Sequence, residues 1–147
     1  MASILFLASA DLGETVLATG ALAHVLGEED HVTVRCEPTA QPLFRALAQV
    51  DALTSAGQTG TVLHLGAPFD ILLDLREGGS SVFIRAHRRM TRRTPKTLRH
   101  LSDAFADIVG ADRALAPHIA VDDLARAKAA ALAPGPLIVL APGGNTA

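Results

Sequence analysis

Residues 3–8, Ser-Ile-Leu-Phe-Leu-Ala, are an apolar run that breaks at Ser9-Ala10-Asp11 and restarts with helical spacing from Leu12 to Leu17. That pattern predicts a strand, a loop and a helix. The alternation continues along the chain. Residues 31–36 predict a second strand, residues 40–50 a helix with Leu43, Phe44, Leu47 and Val50 on one face, and residues 51–55 a short third strand. Residues 57–68 read as a loop with a brief apolar stretch. Residues 69–75 are nearly continuously apolar, interrupted only by Asp70 and Asp74, as expected of a strand covered on both faces. They end at Arg76-Glu77-Gly78-Gly79-Ser80-Ser81, after which a helix over about residues 81–89 is predicted. Residues 97–109 predict another helix, closed by Gly110. Residues 122–133 predict one more, with an acidic start and a Pro-Gly-Pro stop. A last buried strand over residues 136–141 leads into Pro142-Gly143-Gly144-Asn145.

Strands and helices that alternate with short connections specify an α/β chain: a Rossmann-like, open, mostly parallel sheet with helices on both faces. The final strand, ending in Pro-Gly-Gly, ought to feed a helix whose N-terminus would hold an anion, yet the sequence ends at Ala147. Because Ala133-Pro134-Gly135-Pro136 has linker composition, residues 1–133 are expected to form one domain, with residues 134–147 the linker and first strand of another. The alternative is that this strand completes the first sheet.

Composition narrows the class. At 147 residues, 49% hydrophobic and 19% charged with a net charge of -2, the chain has room for one domain with a real core and is not disordered. No apolar run reaches the roughly 18 residues of a membrane helix. No basic residue precedes the first apolar run, which therefore reads as a buried strand and not as a signal peptide. The single cysteine, Cys36, excludes an internal disulfide framework or a cysteine metal cluster and fits a reducing cytoplasm.

Two features carry candidate chemistry. Asp11 and Glu14 stand at the first strand-to-helix turn, where ligands are held in open α/β sheets. They are either caps that satisfy free helix amides or a carboxylate aimed into a cleft as a general base. Seven of the 13 basic residues, Arg85, Arg88, Arg89, Arg92, Arg93, Lys96 and Arg99, fall close together, with His87 and His100 beside them. Such a cluster is either a solvated face or a patch for phosphate or carboxylate groups, for which the planar arginine fork is suited. Nucleic acid is a weaker match, because beyond Phe83 the segment has no aromatic side chain for stacking and the chain has no Trp or Tyr. Dinucleotide and phosphate-loop glycine patterns, a nucleophile elbow and a metal-binding histidine spacing are all absent. What remains suits transfer to or from an anionic substrate.

Residues 4–6 followed by Leu12-Gly13-Glu14-Thr15-Val16-Leu17-Ala18-Thr19-Gly20-Ala21-Leu22 resemble the first strand, loop and helix of the bacterial heptosyltransferase family, glycosyltransferase family nine. The resemblance continues through Phe69-Asp70-Ile71-Leu72-Leu73-Asp74-Leu75-Arg76, the arginine-rich segment, a helix led by His100 and Ala141-Pro142-Gly143-Gly144, in the family's order over essentially the whole chain. It implies the N-terminal, acceptor-binding domain of a two-domain GT-B fold plus the first strand of the donor-binding domain. It further implies inverting, metal-independent transfer of a sugar, often a heptose from an ADP-sugar, onto a growing lipopolysaccharide core. No cofactor is implied beyond the nucleotide-sugar.

The family's Leu-Gly-Asp base falls on Glu14, one methylene longer, with Asp11 as a second catalytic candidate where members often carry Ser or Arg, and Ala8 stands where a basic residue is usual. Gly13, Arg76, Gly78, Gly79, Ser80, Arg88, Arg89, Arg92, Arg93, Lys96 and His100 would meet an anionic glycolipid or oligosaccharide acceptor. Gly143, Gly144 and Asn145 would face the donor diphosphate. The implied location is the cytoplasm or the inner face of the membrane. The implied partner is the remaining C-terminal domain, in the same chain or as a separate one. The competing expectation is a non-catalytic remnant or binding module for an anionic glycan or a partner protein.

Overall fold

Five strands form one sheet: β1 (Ser3–Leu7), β2 (His31–Arg35), β3 (Val50–Thr54), β4 (Phe69–Asp74) and β5 (Ala86–Thr91). They pair in the order β3-β2-β1-β4-β5, and every pairing is parallel. The computed structural model describes residues 1–55, 67–78, 81–92 and 99–132. Three helices accompany the described sheet: α1 (Leu12–Val25), α2 (Leu101–Val109) and α3 (Asp123–Leu132). This is the open α/β architecture that the alternating pattern specifies.

Register assigns the faces. Ile4 pairs with Val32 and Ile71, and Phe6 with Val34 and Leu73, so these side chains share one face. They form the main core with Ala18, Ala21 and Leu22 of α1 and Phe105 and Val109 of α2. On the opposite face Leu5, Leu7 and Leu72 pack against Ile84. β1 is buried through its last four positions because it lies at the centre, covered on both sides.

Two predicted helices are corrected. Residues 40–50 do not form an α-helix. A 3₁₀ helix spans Pro38–Leu43, and bonds from Ala40 N to Glu37 O, Phe44 N to Gln41 O, Leu47 N to Phe44 O and Val50 N to Leu47 O continue the three-residue spacing into β3. Pro42 lacks an amide hydrogen and its ring blocks the preceding turn, which disfavours the wider helix. The apolar face still turns inward, with Phe44 buried and Leu43, Leu47 and Val50 packed against the core. Residues 81–89 likewise form a turn, closed by Ile84 N to Ser81 O, and then β5. Pairing with the open edge of β4 outweighs local preference there, and Met90 supplies the buried position.

The later helices are placed as expected, within a few residues. α2 begins after His100 and ends at Gly110 with φ 79°, a left-handed cap. α3 starts beside Asp122, whose carboxylate accepts from Ala125 N at 2.6 Å, and it is exposed over residues 123–131. Most of the loop predicted over 57–68 and all of the strand predicted over 136–141 lie outside the described residues, as does the expected division at 133/134. Among the described residues, no helix is long and apolar enough to cross a membrane.

Candidate functional site

The carboxyl ends of the strands lie side by side, and the strand order reverses between β1 and β4, where such sheets open a crevice. The β1–α1 turn is fixed from several directions. Asp11 adopts extended backbone (φ -80°, ψ 126°), and its carboxylate accepts from Glu14 N at 2.8 Å. Thr15 Oγ1 donates to Ser9 O at 3.0 Å, and Asp11 N donates to Ser9 Oγ at 3.2 Å. Asp11 therefore stands as the helix N-cap. Glu14, one turn on, has its side chain free of the cap.

The Glu14 carboxylate meets Arg92, which follows the last residue of β5. Arg92 Nη1 lies 3.3 and 3.4 Å from the two Glu14 oxygens, and Nη2 lies 3.6 Å from Glu77 Oε2. The Arg92 side chain is only 7% exposed, against 21% for Glu14 and 63% for Glu77. Its guanidinium carbon lies 6.0 Å from the centre of the Phe105 ring of α2. Arg92 Nε is buried with no hydrogen-bond partner among the described residues.

On the other side of the β1–α1 turn, Arg76 holds Asp74 in a two-pronged pair, Nε to Oδ1 at 2.7 Å and Nη2 to Oδ2 at 2.9 Å. These hydrogen bonds hold the Arg76 guanidinium above its ordinary value, and partial burial opposes them. A cavity of about 110 Å³ lies here, lined by Ala8, Ala10, Arg35, Cys36, Glu37 and Arg76. Burial pushes the Cys36 thiol up, with the nearby Glu37 charge adding to the effect.

The structure divides the sequence candidates. It brings Glu14 and Arg92 into contact, with Asp11 and Gly13 in the same turn and Arg76 across it. A Cβ at Gly13 would stand 3.2 Å from the Asp11 carboxylate, so glycine leaves the cap uncrowded. Gly78 sits at φ 61° with open space around it. Among the described residues, the arginines of this segment do not all share one face. Arg88 and Arg89 are consecutive strand residues on opposite faces of β5, three and two residues, or about 10 and 7 Å, short of its carboxyl end. Arg89 donates to Ser81 O at 2.9 Å and to Ile84 O, tying down the crossover turn. Arg99 pairs with Asp107. His100 caps α2, its Nδ1 accepting from Ser102 N at 3.3 Å.

Gly79, Ser80, Arg93, Lys96, Gly143, Gly144 and Asn145 lie outside the described residues. Sequence reasoning missed Glu77, Phe105 and the Arg35–Glu37 cavity wall. The signal available for Glu77 was its place directly after Arg76 at a strand's carboxyl end. Among the described residues, no group of three or more His, Cys, Asp or Glu is placed to hold a metal ion.

No protein-family model matches the chain, and no curated protein matches it. Among solved structures, a glycosyl transferase family 9 protein from Veillonella parvula DSM 2008 is similar in fold, with a TM-score of 0.59 at 15% identity over 87% of this chain. The match covers 48% of that protein, so this chain spans about half its length.

Proposed function

We propose that this chain is the acceptor-side half of a sugar transferase, with Glu14 as the general base. The observation that carries the reading is the placement of Glu14: a partly exposed carboxylate at a helix start, at the carboxyl edge of β1 beside the point of strand reversal, held from the side by Arg92. The fold shared with a family 9 transferase supports the same assignment. Glu14 takes the proton of an acceptor hydroxyl as that oxygen attacks the anomeric carbon of a nucleotide-sugar. The C–O bond to the diphosphate breaks, and the anomeric centre inverts. A base acts only within about 2.6 to 3.2 Å of the hydroxyl, so its orientation matters as much as its charge.

In this reading the donor is an ADP-heptose-like nucleotide-sugar, the acceptor a lipopolysaccharide-type anionic glycan at the inner membrane face, and no metal takes part. Donor selection lies with a second domain. A radiolabelled-sugar transfer assay comparing the protein with Glu14→Gln tests the base, and equal turnover in both removes it. The second reading is a module that binds an acceptor without transferring to it; the pairing of Glu14 with Arg92 favours it, because it engages the carboxylate that a base needs free. Separate calorimetric titrations of an anionic core oligosaccharide and of an ADP-sugar discriminate: acceptor binding without donor binding supports the module.

A further inference from the structure

We propose that Glu77 stands in for an anionic group of the ligand: its carboxylate covers the outer nitrogen of Arg92, and a carboxylate or phosphate of the acceptor displaces it. The inner nitrogen of the Arg92 fork faces both oxygens of Glu14 and the outer one faces Glu77, so the two contacts are separable. They differ in quality. Glu77 is 63% exposed and reaches Arg92 at 3.6 Å, beyond hydrogen-bond distance, an attraction weakened by solvent. The guanidinium itself is nine-tenths buried and under-satisfied, with Nε unpartnered among the described residues and no contact to Glu14 or Glu77 shorter than 3.3 Å. A buried arginine with unfilled donors is poorly explained as a stability device and well explained as a receptor for oxyanions. Of the two described carboxylates that meet Arg92, Glu77 is the one that solvent can readily draw away. An oxyanion in its place would be bound one guanidinium away from Glu14, which sets the ligand beside the candidate base.

The inference rests on reading this edge as an acceptor site, but its test needs no transfer, so the two fail separately. Inorganic phosphate and acetate are titrated at constant ionic strength into the whole chain, its Glu77→Gln and its Arg92→Lys variants. Binding is followed by NMR at the Arg92 Nε–H and the Glu14 amide. The expected result is affinity about fivefold tighter in Glu77→Gln, where a competing charge is gone, and loss of the local shifts in Arg92→Lys. The phosphate and acetate arms show which oxyanion fits. Affinity unchanged, weakened or absent in Glu77→Gln overturns the proposal, as do unchanged shifts in Arg92→Lys. Should Arg92→Lys fail to fold, the Glu77→Gln arm decides alone, because that side chain is exposed.

Discussion

Glu14 and Arg92 stand 78 positions apart in the chain, and their side chains meet with Nη1 3.3 Å from Oε1. The contact joins the first turn of α1 to the carboxyl end of β5, across β1 and β4, and draws α2 in through Phe105. It links the candidate base to the packing of the sheet edge.

Removing the arginine should therefore cost stability as well as position. Arg92→Met leaves the Glu14 carboxylate partly buried and unpaired while retaining the apolar stem over Phe105. A loss of about 1 to 3 kcal/mol is expected, below the full value for a buried pair because Glu14 is 21% exposed. Urea unfolding measures it. A loss below about 0.5 kcal/mol would mean that solvent already satisfies Glu14.

The two acids of the first turn are expected to separate in function. Asp11→Ala removes the cap and should destabilise by about 1 kcal/mol while leaving transfer within a few-fold of the original. Glu14→Gln should cost about 1 to 2 kcal/mol, because it takes the carboxylate from the buried Arg92 guanidinium, and should reduce turnover on the order of 100-fold or more. The reverse pattern in paired unfolding and transfer assays would make Asp11 the base.

Gly20 sits where α1 passes beneath residues 115–116, and a Cβ there would come within 2.3 Å of Ala116 O. Alanine gains up to about 1 kcal/mol of helix propensity, but the obstruction is backbone and cannot swing aside. Overpacking of about 1 to 3 kcal/mol should win, so Gly20→Ala is expected to lower the unfolding midpoint. The neighbouring bond from His118 N to Thr19 Oγ1, 2.9 Å, is expected to be disturbed with it.

Cys36, the chain's single cysteine, gives a clean chemical probe. Its thiol is buried and pushed up, chiefly by that burial, so less of it is thiolate at pH 8 than in an exposed cysteine. Reaction with a disulfide reagent should be slow in buffer and become fast through the urea transition. Fast reaction of the native protein would show that the adjoining cavity admits the reagent.

Acid should weaken the start of the sheet. Hydrogen bonds from Ala2 and Gly27 amides hold Asp30 below its ordinary value, and bonds from the Ser3 amide and hydroxyl do the same for Asp70. Groups lowered in the folded state contribute stability that is present above their unfolded value, about 3.9, and is lost as pH falls through the folded value. Urea midpoints from pH 6 to 2 should fall less steeply in the Asp30→Asn, Asp70→Asn double variant than in the original protein. Parallel curves would assign the acid sensitivity to other carboxylates.

The sheet's central strands, the Asp11–Glu14 turn and the Gly110 stop are all legible in the order of residues. Each is a local signal: a run apolar enough for burial on both faces, a cap residue three positions before the amide it satisfies, a glycine where φ must be positive. The sequence also marked the inward face of residues 43–50, though not the element that carries it, because a three-residue repeat serves a 3₁₀ helix as well as an α-helix.

Tertiary structure alone decided the fate of the arginines. Residues 85–92 become an edge strand because β4 offers unpaired backbone beside them, and a strand's two-residue period then sends Arg88 and Arg89 to opposite faces. Among the described residues, basic side chains that are neighbours along the chain are thereby parted in space. Among the described arginines it is Arg92, at the strand's end, that is carried to Glu14 and Glu77. No periodicity encodes that meeting, since it depends on which strands lie next to which.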